Sequence, residues 1–237
     1  MSFFCTGTAF ILARFFRLGH FDAMTRTKDH EISSARTRRR KPITRERIRN
    51  WALGYLGRFA ATEAHLLVVL ERKIKRHLDP EAEETDLSAW IEVARQTARD
   101  MVDLGIVNDR LFAEARVRSL HTQGKSRRAI VQKLAAKGVA SDDIEAAFTE
   151  FAGEFGEGVS DEVLDLEAAV RLARRRRIGP FRRGEVVDER QMRREFGVMA
   201  RAGFGYAVAR RVLNAENLEE LENLLAEVQA EGAVRGL

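Results

Sequence analysis

The chain has 237 residues, 45% hydrophobic and 32% charged, with 41 Lys and Arg against 36 Asp and Glu for a formal charge of +5. One cysteine, Cys5, excludes an internal disulfide framework and any cysteine-based zinc site within one chain. The five histidines are scattered and none lies four residues from another, so neither a metal centre nor a cofactor is expected.

Residues 1–43 read as a disordered, basic N-terminal extension. Phe3, Phe4, Phe10, Ile11, Leu12, Phe15 and Phe16 form an apolar run, broken by Arg14 and too short to span a bilayer. It lacks a clear charged leader and a small-residue cleavage site, so it does not read as a secretory signal. Met24 is an alternative start. Thr25–Pro42 is polar and basic, as a disordered arm would be.

From Thr44 onward apolar residues recur at helical spacing, and no window alternates as a strand requires. Residues 44–58 form a first helix through Ile48, Trp51, Ala52 and Tyr55. Thr62 caps a second, through Leu66, Leu67, Leu70 and Ile74, which runs on through His77. A third uses Leu87, Trp90, Ile91, Ala94, Ala98, Met101 and Val102 and ends at Gly105. The next group starts at Asn108 or Asp109, with Phe112, Ala113, Val117 and Leu120 buried. Ser126 caps a helix through Ile130, Val131 and Leu134 that closes at Gly138. Ser141 caps another, through Ile144, Ala147, Phe148 and Phe151. Gly153, Gly156 and Gly158 mark an acidic linker. A last group spans 163–173, 189–202 and 206–213, with 174–184 as an arginine-rich connector, and an acidic helix covers 218–228.

Two stretches match across about 65 residues. Each has an amphipathic helix that ends on glycine plus an apolar residue, Gly138-Val139 in one and Gly203-Phe204 in the other. The expected fold is therefore all-α, with three tandem three-helix repeats stacked into an elongated, curved shape. The expected division is 44–105, 106–153, a linker at 154–162, then 163–215 and a C-terminal helix and tail at 216–237.

Charge is segregated along the chain. Arg171–Arg194 holds ten arginines against three acids, whereas Ser141–Glu167 holds ten acids and no basic residue. Such segregation creates oriented fields.

Leu104-Gly-Ile-Val-Asn-Asp109-Arg-Leu-Phe112-Ala113 resembles the Gly-apolar-apolar-Asn/Asp-Asp-x-x-Phe-Ala signature of RecX regulatory proteins. The stretch Gly124-Lys125-Ser-Arg127-Arg128-Ala-Ile130, continuing to Leu134, Lys137, Gly138 and Val139, is similar to that family's next helix. Arg201-Ala-Gly203-Phe204 is similar to its Arg-Arg-Gly-Phe element, with Ala202 replacing one arginine. The resemblance covers 45–215. It implies three three-helix repeats and a cytoplasmic, non-catalytic regulator of the RecA recombinase. Such a regulator binds the RecA filament on single-stranded DNA and lowers its extension, ATP hydrolysis and strand exchange, with effects on DNA repair and the SOS response. It also implies a monomer that binds single-stranded DNA weakly by itself and no membrane.

The signature residues themselves read as structural. Asp109, Phe112, Ala113, Ile130, Leu134, Gly138, Gly203 and Phe204 suit packing and helix termination. Candidate contacts with RecA or DNA are the cations: Arg174, Arg175, Arg176, Arg177, Arg182 and Arg183, then Lys125, Arg127, Arg128 and Lys137, and more weakly the arm Arg38–Lys41. Arginine suits both phosphate and carboxylate because its planar fork binds either in pairs. The competing explanation is a solvated charge run balanced by the acidic linker. No nucleophile motif or phosphate loop points to an enzyme. A helical DNA-binding protein acting without RecA is the alternative. A helix-turn-helix reading of 126–137 with 141–151 fails, however, because its second helix carries Asp142, Asp143, Glu145 and Glu150, which phosphates repel.

Overall fold

Side-chain caps and apolar stripes at helical spacing set the elements. The computed structural model describes residues 42–78, 84–156, 159–182, 184 and 188–235, and every regular element among them is helical. The first group is α1 (Arg45–Leu56), α2 (Glu63–His77) and α3 (Glu84–Asp103). The second is α4 (Asp109–Thr122), α5 (Arg127–Ala135) and α6 (Ser141–Gly153). Then come α7 (Asp161–Arg176), a 3-10 turn (Gly179–Phe181), α8 (Glu189–Ala202), α9 (Tyr206–Leu213) and α10 (Leu218–Arg235). Residues 1–41 of the extension, including Arg38–Lys41, lie outside the described residues, as do Gly158 and Arg183, whereas Ile43 is buried in the first core and so belongs to the folded part.

Thr44, Thr62, Asn108, Ser126, Ser160 and Asp188 each accept a hydrogen bond from the backbone amide three residues on. Such a cap stabilises a helix start by about 1 kcal/mol. Ser141 does not cap as its type suggests. It is the first helical residue of α6, and Ala140 before it offers no side-chain bond. Asp142 and Asp143 in the first turn favour that terminus through the helix dipole instead.

Two helices outrun the sequence pattern. Arginine is a good helix former, so α7 continues through Arg174, Arg175 and Arg176 instead of entering a connector at 174. It stops where Arg177 turns left-handed at φ 55°, and Pro180 follows in the 3-10 turn. The last helix reaches Arg235, well past 228.

Three apolar clusters form, one per helix group. Ile48, Leu66, Leu70, Ile74, Ala98 and Met101 fill the first. Phe112, Ala113, Val117, Ile130, Leu134, Ile144 and Phe148 fill the second, joined by Leu164 of α7. Leu166, Met199, Phe204, Val212 and Leu213 fill the third, together with Leu221 of α10. The signature residues Phe112, Ala113, Ile130, Leu134 and Phe204 are thus all buried.

Neighbouring groups meet through one joint, built twice. At the first joint the Glu63 amide donates to Asp109 Oδ1 (3.0 Å) and the Thr62 hydroxyl donates to the Lys137 carbonyl (2.5 Å). At the second the Arg127 amide donates to Asp165 Oδ1 (2.6 Å) and the Ser126 amide to the Ala202 carbonyl (3.1 Å). In each, an aspartate on the next group's first helix binds an amide at the start of the preceding group's second helix. In each, the next group's second helix ends against the same spot on a left-handed glycine, Gly138 (φ 79°) or Gly203 (φ 99°). A Cβ on Gly138 would overlap Ala64 Cβ. One on Gly203 would overlap the Ser126 hydroxyl and lie 2.7 Å from Ala129 Cβ. The matched glycines are needed twice over, for positive φ and for close approach.

Burial pushes the Asp109 and Asp165 carboxyls up, and the amide each accepts offsets this only partly. These side chains therefore fix register at an electrostatic cost.

Gly203→Ala should lower the unfolding free energy by more than about 1 kcal/mol, because both the backbone and the neighbouring group resist the methyl. Gly54→Ala, in the last turn of α1 with nothing within 4 Å of the added carbon, should stabilise by up to about 1 kcal/mol. Urea midpoints measure both; two equal shifts would remove the joint from the account.

Candidate functional site

Arg174, Arg175 and Arg176 form the last turn of α7, and Arg177 caps it. All four are exposed, and among the described residues none ion-pairs with a carboxylate. Four acids of the preceding stretch are engaged elsewhere. Asp161 and Glu145 bind Arg127, Glu162 binds Arg211 at 2.6 Å, and Glu154 binds Arg118. Cations crowded at a helix C-terminus are favoured by its dipole. Arg174 also lies over the Phe181 ring, 5.3 Å from its centroid.

The fold brings a second basic run to this end of α7. The Lys125 pKa is lowered, chiefly by burial and then by the charges of Lys133, Arg175 and Arg176. Lys125 precedes α5, Lys133 lies within it, and the two arginines are some fifty residues later in sequence. The Gly124 backbone makes this possible. A Cβ there would stand 2.7 Å from Leu172 Cβ, so only glycine lets the α4–α5 turn rest on α7. Arg128 is exposed on the first turn of α5, with no ion-pair partner among the described residues. Lys133 is the member that sequence reading omits. Its signal is its place in the last turn of α5, on the same run as Lys125 and Arg128.

Other candidate cations are already occupied. Arg127 pairs with Glu145 (2.5 Å) and Asp161 (3.0 Å) and lies 4.2 Å over Phe148. Lys137 is exposed, but at the first joint, with its ammonium 3.4 Å from the His65 ring. Burial, then Lys137 and Arg72, lowers the His65 pKa. Arg182 sits in a tight clamp. Its guanidinium donates to both Glu195 oxygens (2.7 and 2.6 Å), and the Gly179 amide donates to one of them (3.0 Å). Glu195 is only 4% exposed, on the inner face of α8. Its place one turn before Met199 was the sequence sign of a buried acid needing a partner.

Buried His121 supports the second joint. Its Nε2 donates to the Leu164 carbonyl (2.8 Å), which makes Nδ1 the bare nitrogen of the neutral ring, and Nδ1 has no partner. Burial lowers its pKa despite that carbonyl. No group of His, Cys, Asp or Glu among the described residues could hold a metal ion, and no described helix is long and apolar enough to cross a membrane.

Comparison with known proteins places the chain. Residues 108–147 match the model of the second three-helix domain of RecX. The chain is 31% identical over 179 residues to the regulatory protein RecX of Myxococcus xanthus, covering 75% of this chain and 90% of the relative. It is 35% identical over 179 residues to the Agrobacterium fabrum protein of that name, covering 76% and 88%. The crystal structure of RecX from Lactobacillus salivarius aligns over 76% of this chain and 97% of its own, at 20% identity and a TM-score of 0.46.

The Glu195 clamp yields a stability prediction. Burial would raise the Glu195 pKa, but the Arg182 side chain, the Gly179 amide and Gln191 outweigh it and hold the carboxyl below its ordinary value. A lowered acid pKa stabilises the fold fully above the unfolded value, and that contribution is lost as pH falls through the folded value. Glu195→Gln should therefore destabilise by about 2–3 kcal/mol at pH 7. In urea titrations at several pH values the gap from wild type should close in acid, below the ordinary glutamate range. A gap that is independent of pH would show that the clamp does not act through charge.

Proposed function

The chain belongs to the RecX family of regulatory proteins, and on that premise we propose that it acts on the RecA recombinase. It binds the RecA filament on single-stranded DNA and lowers filament extension, ATP hydrolysis and strand exchange, without catalysis of its own. It does so as a cytoplasmic monomer, modulating DNA repair and the SOS response. The helix groups at 44–105, 106–153 and 163–215 act as three repeats that carry the contact surface.

One observation carries the reading at residue level. Two basic runs, far apart in sequence, converge as Lys125, Lys133, Arg175 and Arg176, with Arg128, Arg174 and Arg177 beside them, all without carboxylate partners among the described residues. Burial and then the neighbouring cations lower the Lys125 pKa, so holding it charged there costs stability, and a polyanion relieves that cost. The phosphates of the single strand held in the filament supply the charge. Arg127 and Arg182 lie outside this surface because their guanidiniums are filled within the chain.

RecA-catalysed ATP hydrolysis on single-stranded DNA, with this protein titrated in, tests the proposal. Inhibition is expected well below one molecule per RecA. Lys125→Ala combined with Arg175→Ala and Arg176→Ala should raise the half-inhibiting concentration about tenfold or more. The same variant should lower the salt slope of binding by about 2, since each phosphate neutralised on a single strand contributes about 0.7. Arg193→Ala, in an exposed pair with Glu189, should change neither. Absence of inhibition together with tight, salt-sensitive binding to naked DNA would favour a DNA-binding protein that works without RecA.

A further inference from the structure

An apolar groove of about 530 Å³ lies beside the first joint, between the turn after α1, the turn before α4 and the outer face of α4. Its size falls in the range of built binding sites. Phe112 forms part of its floor, while Phe59, Ile106 and Leu111 stand 53%, 48% and 60% exposed around it. Gly105, left-handed at φ 69° with open space where a Cβ would stand, keeps that end of the groove clear. Leu111, Ala115 and Ser119 follow one another at four-residue steps along α4, so the groove runs with the helix. Contiguous exposed apolar surface rimmed by polar groups marks a site of protein association.

The rim is positive. The Arg58 guanidinium lies 5.7 Å over the Phe59 ring and is steadied by its Nε bond to the Gly54 carbonyl (3.1 Å). The Arg116 guanidinium lies 5.4 Å over the Phe112 ring. No described residue lining the groove is a carboxylate. Arg116 lines the groove and Arg58 stands just beyond the lining, over the Phe59 ring, and no carboxylate of the lining neutralises either.

We propose that this groove docks an acidic segment of a partner protein, which inserts apolar side chains onto the floor and sets carboxylates against Arg58 and Arg116. A second copy of this chain fits poorly, because a symmetric pairing would face each arginine with its like. A nucleic acid strand fits poorly as well, since the floor offers nothing to phosphates. That the partner is RecA rests on the function proposed above; the chemistry of the groove does not. On this assignment the groove holds protein while the cations at the end of α7 hold the DNA strand.

Two measurements on the full chain test it, with three variants. The first follows bis-ANS, an apolar dye carrying sulfonates, which reproduces both halves of the proposed chemistry. Wild type and Val68→Glu, a substitution at an apolar residue 56% exposed on α2, should bind it alike. Ile106→Glu with Leu111→Glu should weaken binding about tenfold or more, and Arg58→Ala with Arg116→Ala should weaken it in a salt-dependent way. Dye binding that is absent in wild type, or unchanged in the groove pair, overturns the proposal whatever RecA does.

The second measures inhibition of RecA beside anisotropy of a labelled single-stranded oligonucleotide. The groove pair should lose inhibition about tenfold while its oligonucleotide midpoint stays within about twofold. Equal losses in both would make the groove a nucleic-acid contact and overturn the assignment. A dimeric wild type that the groove pair converts to monomer, by light scattering, would make the occupant a second copy and overturn it too. Wild type that binds the dye but leaves RecA uninhibited supports the groove and removes only the RecA reading.

Discussion

The rest of the structure hangs on the joint between consecutive helix groups. Alone, a group of three short helices encloses little apolar surface, and the amides at the start of its second helix need acceptors. Asp109 and Asp165 meet the second need from the neighbouring group. Gly138 and Gly203 meet the first by letting backbones come closer than any side chain would permit. Because one geometry serves both joints, it fixes the register of all three cores at once.

The register then decides where charge is displayed. Gly124 resting on Leu172 brings the α4–α5 turn to α7, so Lys125 meets Arg175 and Arg176. That juxtaposition follows from the joint and not from any local property of the arginine run. The acidic stretch between the second and third groups spends its charge on Arg127, Arg118 and Arg211, leaving the end of α7 uncompensated. A basic surface can therefore sit close to an acidic stretch without being quenched by it.

Much of this was legible in the sequence. Stripes such as Ile130–Leu134 and Ile144–Phe148 place helices and cores together, and Thr62, Ser126 and Asn108 announce their starts. The matched glycines name the repeat, although their partners in space, Ala64 and Ala129, carry no local signal. Charge is harder to read. Arg174–Arg177 followed by Ile-Gly-Pro looks like a loop because the breakers are conspicuous, yet arginine continues a helix readily and the turn comes only at Arg177. Arg182 and Arg127 look as available as their neighbours. Their engagement depends on Glu195, Glu145 and Asp161, which no spacing rule ties to them. Lys133 joins the patch only once α5 has been laid beside α7.

The joint also has a direction along the chain. Beyond the local caps, each bond between groups at a second-helix start reaches a residue farther down the chain: Asp109 is 46 residues after Glu63, Lys137 is 75 after Thr62, and Asp165 is 38 after Arg127. The first two groups therefore keep their local caps and gain these further partners from the group that follows each. The third group is closed by its Asp188 cap, the Arg182–Glu195 clamp and Leu221 of α10 packed onto its core. In every one of these helix-start bonds between groups the donor belongs to the earlier group and the acceptor to the later one.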